Sequence, residues 1–496
     1  MALRRSDLHS SGESLSSFVG RKAELSVLSK RLKRVRETGS GVALALRGRR
    51  QVGKSRLIQE FCDRADVPYV FYTATKGASP VESVADFLRD LKDSSLPRDR
   101  DLVPSASAGS WPDAFRALAA ALPDDRPCIV VLDELPWLSE QDGLFDGALQ
   151  TAWDRLLSVR PVLLLLLGSD LHMMERLTAY DSPFYGRADN LILGPLDPAE
   201  TGQALGLAAA DAIDAHLVCG GLPGILRAWP HATPALAFLE QECADPASPV
   251  FSIPETSLLS EFPTPDQARR VLEAVGGGDR THANIATTAG SREGALPSGS
   301  LSPLLRRLVE EKRVLAVDEP TSTRPGKPAL YRVADSNLRL YLAILRGVHE
   351  QVRRGRPQAA YRLVERRWTS WRGRAVEPLI RESLSLAASE GALPWTETAT
   401  VGGWWNRRFD PEVDLVGADR GPVAQRIDFV GSIKWLATPF DRHDLDDLTR
   451  AAPEVPGFTL GTTGLVVATL SGLAPNADNA TVDLCWGPEQ VIHSWT

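Results

Sequence analysis

The chain has 496 residues, 56 of them Lys or Arg and 63 Asp or Glu, for a net charge of −7. That length exceeds one ordinary core and predicts roughly three domains, while the acidic balance excludes a uniformly basic nucleic-acid binder. With 43% hydrophobic and 24% charged residues the composition is that of a globular protein, and the longest apolar run, PVLLLLLG at 161–168, is strand-sized rather than membrane-spanning.

The opening MALRRSDLHSSGESLSSF has arginines but no apolar segment behind them, so it does not read as a secretory signal and predicts a cytoplasmic protein with no membrane partner. Apolar positions Leu25, Leu28 and Leu32 then recur at helical spacing. GVALALRG (41–48) reads as a strand and GKSRLIQEFCDRA as a helix, joined by GRRQVGKS at 48–55. Further strands are expected at 67–74, 128–135 and 161–169, alternating with helices at 80–94, 111–122 and 145–158. Nearly continuous apolar strands separated by helices call for a parallel sheet covered on both faces.

GRRQVGKS satisfies G-x-x-x-x-G-K-S between a strand and a helix, the setting in which the pattern binds phosphate. Gly48 and Gly53 let backbone N–H groups turn toward the phosphates, Lys54 neutralises the terminal ones, and the Ser55 hydroxyl ligates Mg²⁺, with Arg56 next in the loop-to-helix turn. IVVLDELPWL then delivers Asp133 at a strand end, where an open sheet places its ligands, followed by Glu134. Asp133 suits the Mg²⁺ shell and Glu134 suits activation of the attacking water, a division that needs two adjacent carboxylates aimed differently. ATP and Mg²⁺ are therefore the expected cofactors.

From about 197 to 260 the sequence reads as helices punctuated by CGGLPGILRAW, a helical lid appended to the sheet. PDQARRVLEAVGGG, THANIATTAG and SLSPLLRRLVEEKRVLAV predict three short helices, and DEPTSTRPGKPALYRVAD a hairpin: the plan of a winged helix. Ile285, Leu304, Leu305, Leu308 and Leu315 would form its core, leaving Arg306, Arg307 and Arg313 outward, with Arg324 and Lys327 in the wing, for phosphate contacts to double-stranded DNA. A protein-binding spacer is the alternative for this module. Between Arg346 and Arg374 nine arginines stand against Glu350 and Glu365, either a local basic surface or a solvated helix face.

The motifs FVGRKAEL, GRRQVGKS, VLDELPWL, GSDLHMME, SPFYGR and GGLPGIL occur in the order found in archaeal-type AAA+/STAND-like P-loop ATPases, which the chain resembles over roughly residues 15–440. The resemblance implies an α/β fold class: a P-loop NTPase core at 15–195, a helical lid at 196–260, a winged helix at 261–345, and at 346–496 a basic helical segment with an α/β restriction-endonuclease-like domain. It implies that Val19, Gly20 and Arg21 lie near the adenine or the hinge, that Ser169 sits where a sensor group would, and that Arg187 contacts the γ-phosphate in cis or from a neighbouring copy of a homo-oligomer.

It also implies a PD-(D/E)xK nuclease-like site, for which GRAVEPLIRESL offers Glu377, PEVDLVGAD offers Asp414 and GSIKW offers Lys434. Ser432 stands where that pattern has an acid, and a hydroxyl is a poor ligand for a hard cation. Asp428 lies too far along the strand to substitute, which leaves Glu412 or Glu382 to fill the gap, or an inactive site used for binding. Trp404, Trp405 and Trp435 read as core or interface rather than base-stacking platforms. Five cysteines, Cys62, Cys128, Cys219, Cys243 and Cys485, show no C-x-x-C spacing and read as reduced, mostly buried thiols. The leading function is an ATP-hydrolysing switch acting on DNA. The alternatives are an ATP-gated, metal-dependent DNA nuclease and a nucleotide-switched protein scaffold.

Overall fold

The computed structural model describes residues 18–97, 109–180, 182, 184–262, 267–291, 294–326, 328–477 and 481–496. Lys327 of the expected wing, residues 15–17 of the expected ATPase core, residues 263–266 of the expected winged helix and most of the N-terminal stretch read for a signal lie outside them. The chain divides into two compact units: residues 1–48, 53–169 and 176–193 in the first, and residues 49–52, 170–175 and 194–496 in the second.

The first unit is built from α1 (Lys22–Thr38), β1 (Val42–Arg47), α2 (Lys54–Ala65), β2 (Tyr69–Thr73), α3 (Pro80–Asp93), α4 (Trp111–Ala121) and β3 (Cys128–Asp133). There follow α5 (Leu135–Gln141), α6 (Phe145–Ala152) with a π-helical continuation at Trp153–Leu157, β4 (Val162–Gly168), α7 (Leu171–Thr178), whose first turns group with the second unit, and β5 (Ala188–Ile192). The strands form one parallel sheet in the order β2-β3-β4-β1-β5. Every residue of β3 and β4 is buried, as expected for Val, Leu and Ile runs covered on both faces. Helix starts are chemically marked: Ser79 caps α3 by accepting from the Glu82 N–H while Glu82 reaches back to the Ser79 N–H, with Pro80 in the first turn.

The second unit begins with five helices, α8 (Pro198–Leu205), α9 (Ala209–Cys219), α10 (Pro223–Leu226), α11 (Ala235–Glu242) and α12 (Pro249–Glu261). Next come α13 (Gln267–Gly277), α14 (His282–Thr288), α15 (Ser298–Glu310) and an antiparallel pair, β6 (Leu315–Asp318) with β7 (Leu330–Val333). A helical run follows: α16 (Ser336–Leu340), a π-helical stretch Tyr341–Leu345, α17 (Arg346–Arg353), α18 (Pro357–Ala375) and α19 (Glu377–Ser389). The chain ends with β8 (Thr400–Trp405), β9 (Glu412–Ala418), β10 (Ile427–Lys434), α20 (Arg442–Ala451), β11 (Gly464–Thr469), β12 (Leu484–Trp486) and α21 (Pro488–His493). These strands form a mixed sheet, β12-β11-β10-β9-β8, antiparallel on the β8–β9–β10 side and parallel on the β10–β11–β12 side.

The helices expected as a lid group with the second unit. Ile213 and Leu217 of α9 are buried in one core with Leu379 and Ile380 of α19, Phe429 of β10, and Trp435. Asp214 reinforces that seat by pairing with Arg372 of α18 at 3.0 Å, and the side chains of Ser336 and Asn337 donate to the carbonyls of Leu217 and Val218 at 2.7 and 2.9 Å. Within the second unit, α9 and the C-terminal elements therefore share buried apolar surface. Among the described residues no helix is long and apolar enough to cross a membrane.

Candidate functional site

The loop after β1 carries left-handed backbone at Gln51 (φ 68°) and Gly53 (φ 95°) and opens directly into α2. Gly53 takes that conformation without the steric penalty a Cβ would bring. Lys54 is nearly enclosed, 6% exposed, and its Nζ donates to the Gly48 carbonyl at 2.7 Å, so the cation is held over the loop that would wrap the phosphates. The Ser55 hydroxyl donates to Asp133 Oδ2 at 2.7 Å. A hydroxyl and a carboxylate brought together from the start of α2 and the end of β3 form an all-oxygen donor set, which suits a hard cation such as Mg²⁺.

Asp133 is buried, and burial pushes its carboxyl above the usual range against the opposing Ser55 hydrogen bond. Glu134, the next residue, has φ 55° and ψ 41°, left-handed backbone that a non-glycine residue adopts at a cost of order 1–3 kcal/mol. That twist separates the aims of the two carboxylates. Ser169, just past β4, donates to Glu134 Oε2 at 2.7 Å. The C-terminal ends of β1, β3 and β4, neighbours in the sheet, therefore bring Lys54, Ser55, Asp133, Glu134 and Ser169 to one place.

Other expected residues stand apart. Arg56 is exposed on α2, its side chain taken by Glu60 at 3.1 Å, which leaves its backbone N–H for the phosphate turn. Val19 and Gly20 lead into Arg21, the residue before α1, which is 5% exposed with φ 61° and donates to Glu24 at 3.1 Å. Arg187 precedes β5, and the register Ala43↔Ala188 sets it level with the start of β1. Gly48 is about six residues, roughly 20 Å, further along the strand direction, beyond the reach of an arginine side chain. The register therefore sets Arg187 and Gly48 at opposite ends of the sheet. The guanidinium is instead gripped by Asp154 through two hydrogen bonds of 2.8 Å each.

In the second unit, Ile285, Leu305, Leu308 and Leu315 are buried and Leu304 is half-buried, with Arg306, Arg307 and Arg313 exposed. Arg313 is paired with Glu175 of the same unit at 2.6 Å, and Arg307 is 3.9 Å from Glu311. The loop between β6 and β7, expected to be a wing, is docked within the second unit. The Thr321, Ser322 and Thr323 N–H groups donate to the carbonyls of Gly403, Pro422 and Pro456 at 2.8, 3.2 and 3.0 Å, and the Trp405 indole donates to the Pro328 carbonyl at 2.7 Å. The Arg324 side chain is exposed, but its loop is anchored to the mixed sheet.

The expected nuclease-like residues are brought near one another with a cation among them that the sequence reading missed. Arg381, one helical turn from Glu377 on α19, donates to Glu377 Oε2 at 3.3 Å and to the Asp414 carbonyl at 2.8 Å. The Ser432 hydroxyl and the Ile433 N–H both donate to Asp414 Oδ2, at 3.1 and 2.8 Å. Lys434 turns to Asp444 of α20. Burial pushes Glu377 up to about 7, with Arg381 opposing and Asp414 adding to the rise. Glu412 is taken by Arg280 at 3.5 Å, and Asp428 by Thr398 and Arg426 at 2.8 and 2.6 Å. Among the described residues no group of three or more His, Cys, Asp or Glu is placed to hold a metal ion. The i,i+4 spacing of Glu377 and Arg381 was the readable signal for this pairing. Trp404, Trp405 and Trp435 are all buried, as is every cysteine except Cys485.

Residues 17–168 match the model of the AAA ATPase domain. No curated protein matches the chain in sequence. Among solved structures, the Walker-type ATPase paby2304 of Pyrococcus abyssi is 18% identical, with a TM-score of 0.48 over 66% of this chain and 96% of that one. The Aeropyrum pernix ORC2 protein, in ADPNP–ADP complexes, is 13% identical, with a TM-score of 0.45 over 69% and 95%. The Aeropyrum pernix ORC1 protein in complex with DNA is 16% identical, with a TM-score of 0.33 over 65% and 91%. These values describe distant likeness, and no function is transferred through them.

Proposed function

We propose that the chain is an ATP-binding, ATP-hydrolysing switch whose second unit acts on double-stranded DNA. The observation that carries the hydrolytic half is the convergence of the Ser55–Asp133 and Ser169–Glu134 hydrogen bonds at the ends of three adjacent strands. In this reading the loop N–H groups and Lys54 hold the phosphate chain, Lys54 leaving the Gly48 carbonyl to do so. Ser55 and Asp133 would hold Mg²⁺, which when bound neutralises phosphate charge. Glu134 accepts the proton of the attacking water, and Ser169 fixes the carboxylate that accepts it. Val19, Gly20 and Arg21 are assigned to the adenine side, and Arg187 to a phosphate contact offered to a second copy in a homo-oligomer.

For the second unit, α13 to β7 is read as a winged helix whose exposed Arg306 and Arg307 contact phosphates. The order α19-β8-β9-β10-α20-β11 supports a nuclease-like fold from 377 onward, and the Arg381 guanidinium between Glu377 and Asp414 favours binding over cleavage there. The docked β6–β7 loop favours a second reading, a nucleotide-switched scaffold that contacts protein rather than DNA. The test is retention of linear duplex DNA across a salt series, with and without ATP, by wild type and Lys54→Ala. Retention that falls steeply with salt and changes with ATP only in wild type supports the switch. Absence of retention at low salt selects the scaffold.

A further inference from the structure

The arginine-rich stretch noted in the sequence is only partly a solvated face. Within the second unit, α13, β7, α18 and α19 enclose a cavity of about 450 Å³. Three of the arginines lining it face a carboxyl group: Arg332 faces Asp318 at 3.1 Å, Arg381 faces Glu377 at 3.3 Å, and Arg280 faces Glu412 at 3.5 Å.

Four more arginines line the same cavity, and among the described residues none of them has a carboxylate within ion-pair distance. Arg339 donates to the carbonyls of Arg374 and Ala375 at 2.9 and 3.4 Å, and Arg367 to that of Ala343 at 2.9 Å. Arg366 donates to the Arg362 carbonyl at 3.3 Å, and Arg374 completes the group from the end of α18. Carbonyl oxygens satisfy N–H groups but do not cancel charge. Burial pushes Arg339 down to about 10, with the like charges of Arg332 and Arg280 acting the same way and the carboxyls of Glu377 and Asp318 opposing. Arg366, Arg367 and Arg374 are exposed and keep their hydration, so the wall presents several positive charges at little folding cost, and guanidinium matches phosphate geometry in pairs.

The cavity also has aromatic walls, Tyr331 and Trp371, and the Trp371 indole N–H is buried with no acceptor. Its volume is in the range that encloses a small ligand and far below what a duplex needs. We propose that this cavity binds a single nucleotide through its terminal phosphate, either as a free nucleoside monophosphate or as the 5′-phosphorylated end of a DNA strand. The four unpaired arginines supply the charge, and Tyr331 or Trp371 supplies a face for the base. This site is separate from the P-loop and does not rest on the ATP-switch reading.

The test is calorimetric titration of the full chain carrying Lys54→Ala, which removes competition by the P-loop. The probes are thymidine 5′-monophosphate, 5′-phosphorylated hexathymidylate and the same oligomer with a 5′-hydroxyl. Binding of the phosphorylated probes is expected at one site per chain, at least tenfold weaker in Arg366→Ala/Arg367→Ala, whose exposed side chains are removed without loss of core. Equal affinity for the two phosphorylated probes identifies a free nucleotide as ligand, and binding of the phosphorylated oligomer alone identifies a strand end. Absence of binding by any phosphorylated probe, equal binding of the 5′-hydroxyl oligomer, or affinity unchanged by the double replacement in a chain with wild-type circular dichroism, overturns the proposal.

Discussion

Ser169 offers a sharp test of how the first unit handles water, because its only assigned task is to hold Glu134. Ser169→Ala removes the 2.7 Å hydrogen bond to Glu134 Oε2 while leaving Lys54, Ser55 and Asp133 untouched. A hydrogen bond to a charged group contributes about 1.5–3 kcal/mol, and each 1.4 kcal/mol is a factor of ten. If the bond fixes the carboxylate as the attacking water loses its proton, kcat for phosphate release falls roughly ten- to a hundredfold. ATP affinity, measured by calorimetry, stays within about twofold, since Ser169 contacts none of the phosphate-binding residues. Ser169→Thr, which keeps the hydroxyl, restores most of the rate. A Ser169→Ala enzyme that keeps wild-type kcat, or that loses ATP affinity in step with kcat, refutes the positioning role.

Four further outcomes follow from the same geometry. Arg306→Ala/Arg307→Ala should weaken duplex retention and reduce the slope of log affinity against log salt by about 1 per lost phosphate contact; an unchanged slope removes α15 from the interface. Ile213→Ala, at a fully buried position in the core shared by α9 and the mixed sheet, should lower the unfolding free energy of the second unit by about 2–5 kcal/mol in a urea titration, whereas a change within error would separate α9 from that core. Glu377, pushed up to about 7 by burial, favours its neutral form in the fold, so the stability this supplies is present in acid and is lost as pH rises from the ordinary carboxylate range through about 7. Thermal unfolding should therefore show Glu377→Gln gaining on wild type between pH 5 and 8, and parallel curves would contradict the assignment. Ser432→Glu adds the acid absent beside Asp414 and should create Mn²⁺ affinity detectable by calorimetry; no binding would mean that Arg381 still neutralises the site.

Much of the first unit was legible because its strands are buried on both faces and so read as unbroken apolar runs: Cys128–Asp133 and Val162–Gly168 fall within the expected segments. The strand Ala188–Ile192 escaped because it is an edge strand, with residues such as Asp189 and Asn190 left outside the core and no period to detect. Asp133 and Glu134 were readable from their place at a strand end. The left-handed backbone at Glu134 and its carboxylate's contact with Ser169, which lies beyond β4, were not. The place of Arg187, level with the start of β1, was not legible for a different reason: it is decided by parallel register, which no local motif carries. What covers α9 was not legible either, because a helix pattern tells which face is apolar and not what packs on it, and here the C-terminal core does.

The central claim is that Glu134 drives ATP hydrolysis at a site whose nucleotide is held by Lys54. The most direct measurement is ATP binding and phosphate release side by side for wild type, Lys54→Ala and Glu134→Gln. The account predicts that Lys54→Ala loses both, while Glu134→Gln keeps ATP bound and loses at least about a hundredfold in turnover, the lower end of the range for removing a general base. Wild-type phosphate release from Glu134→Gln would contradict it.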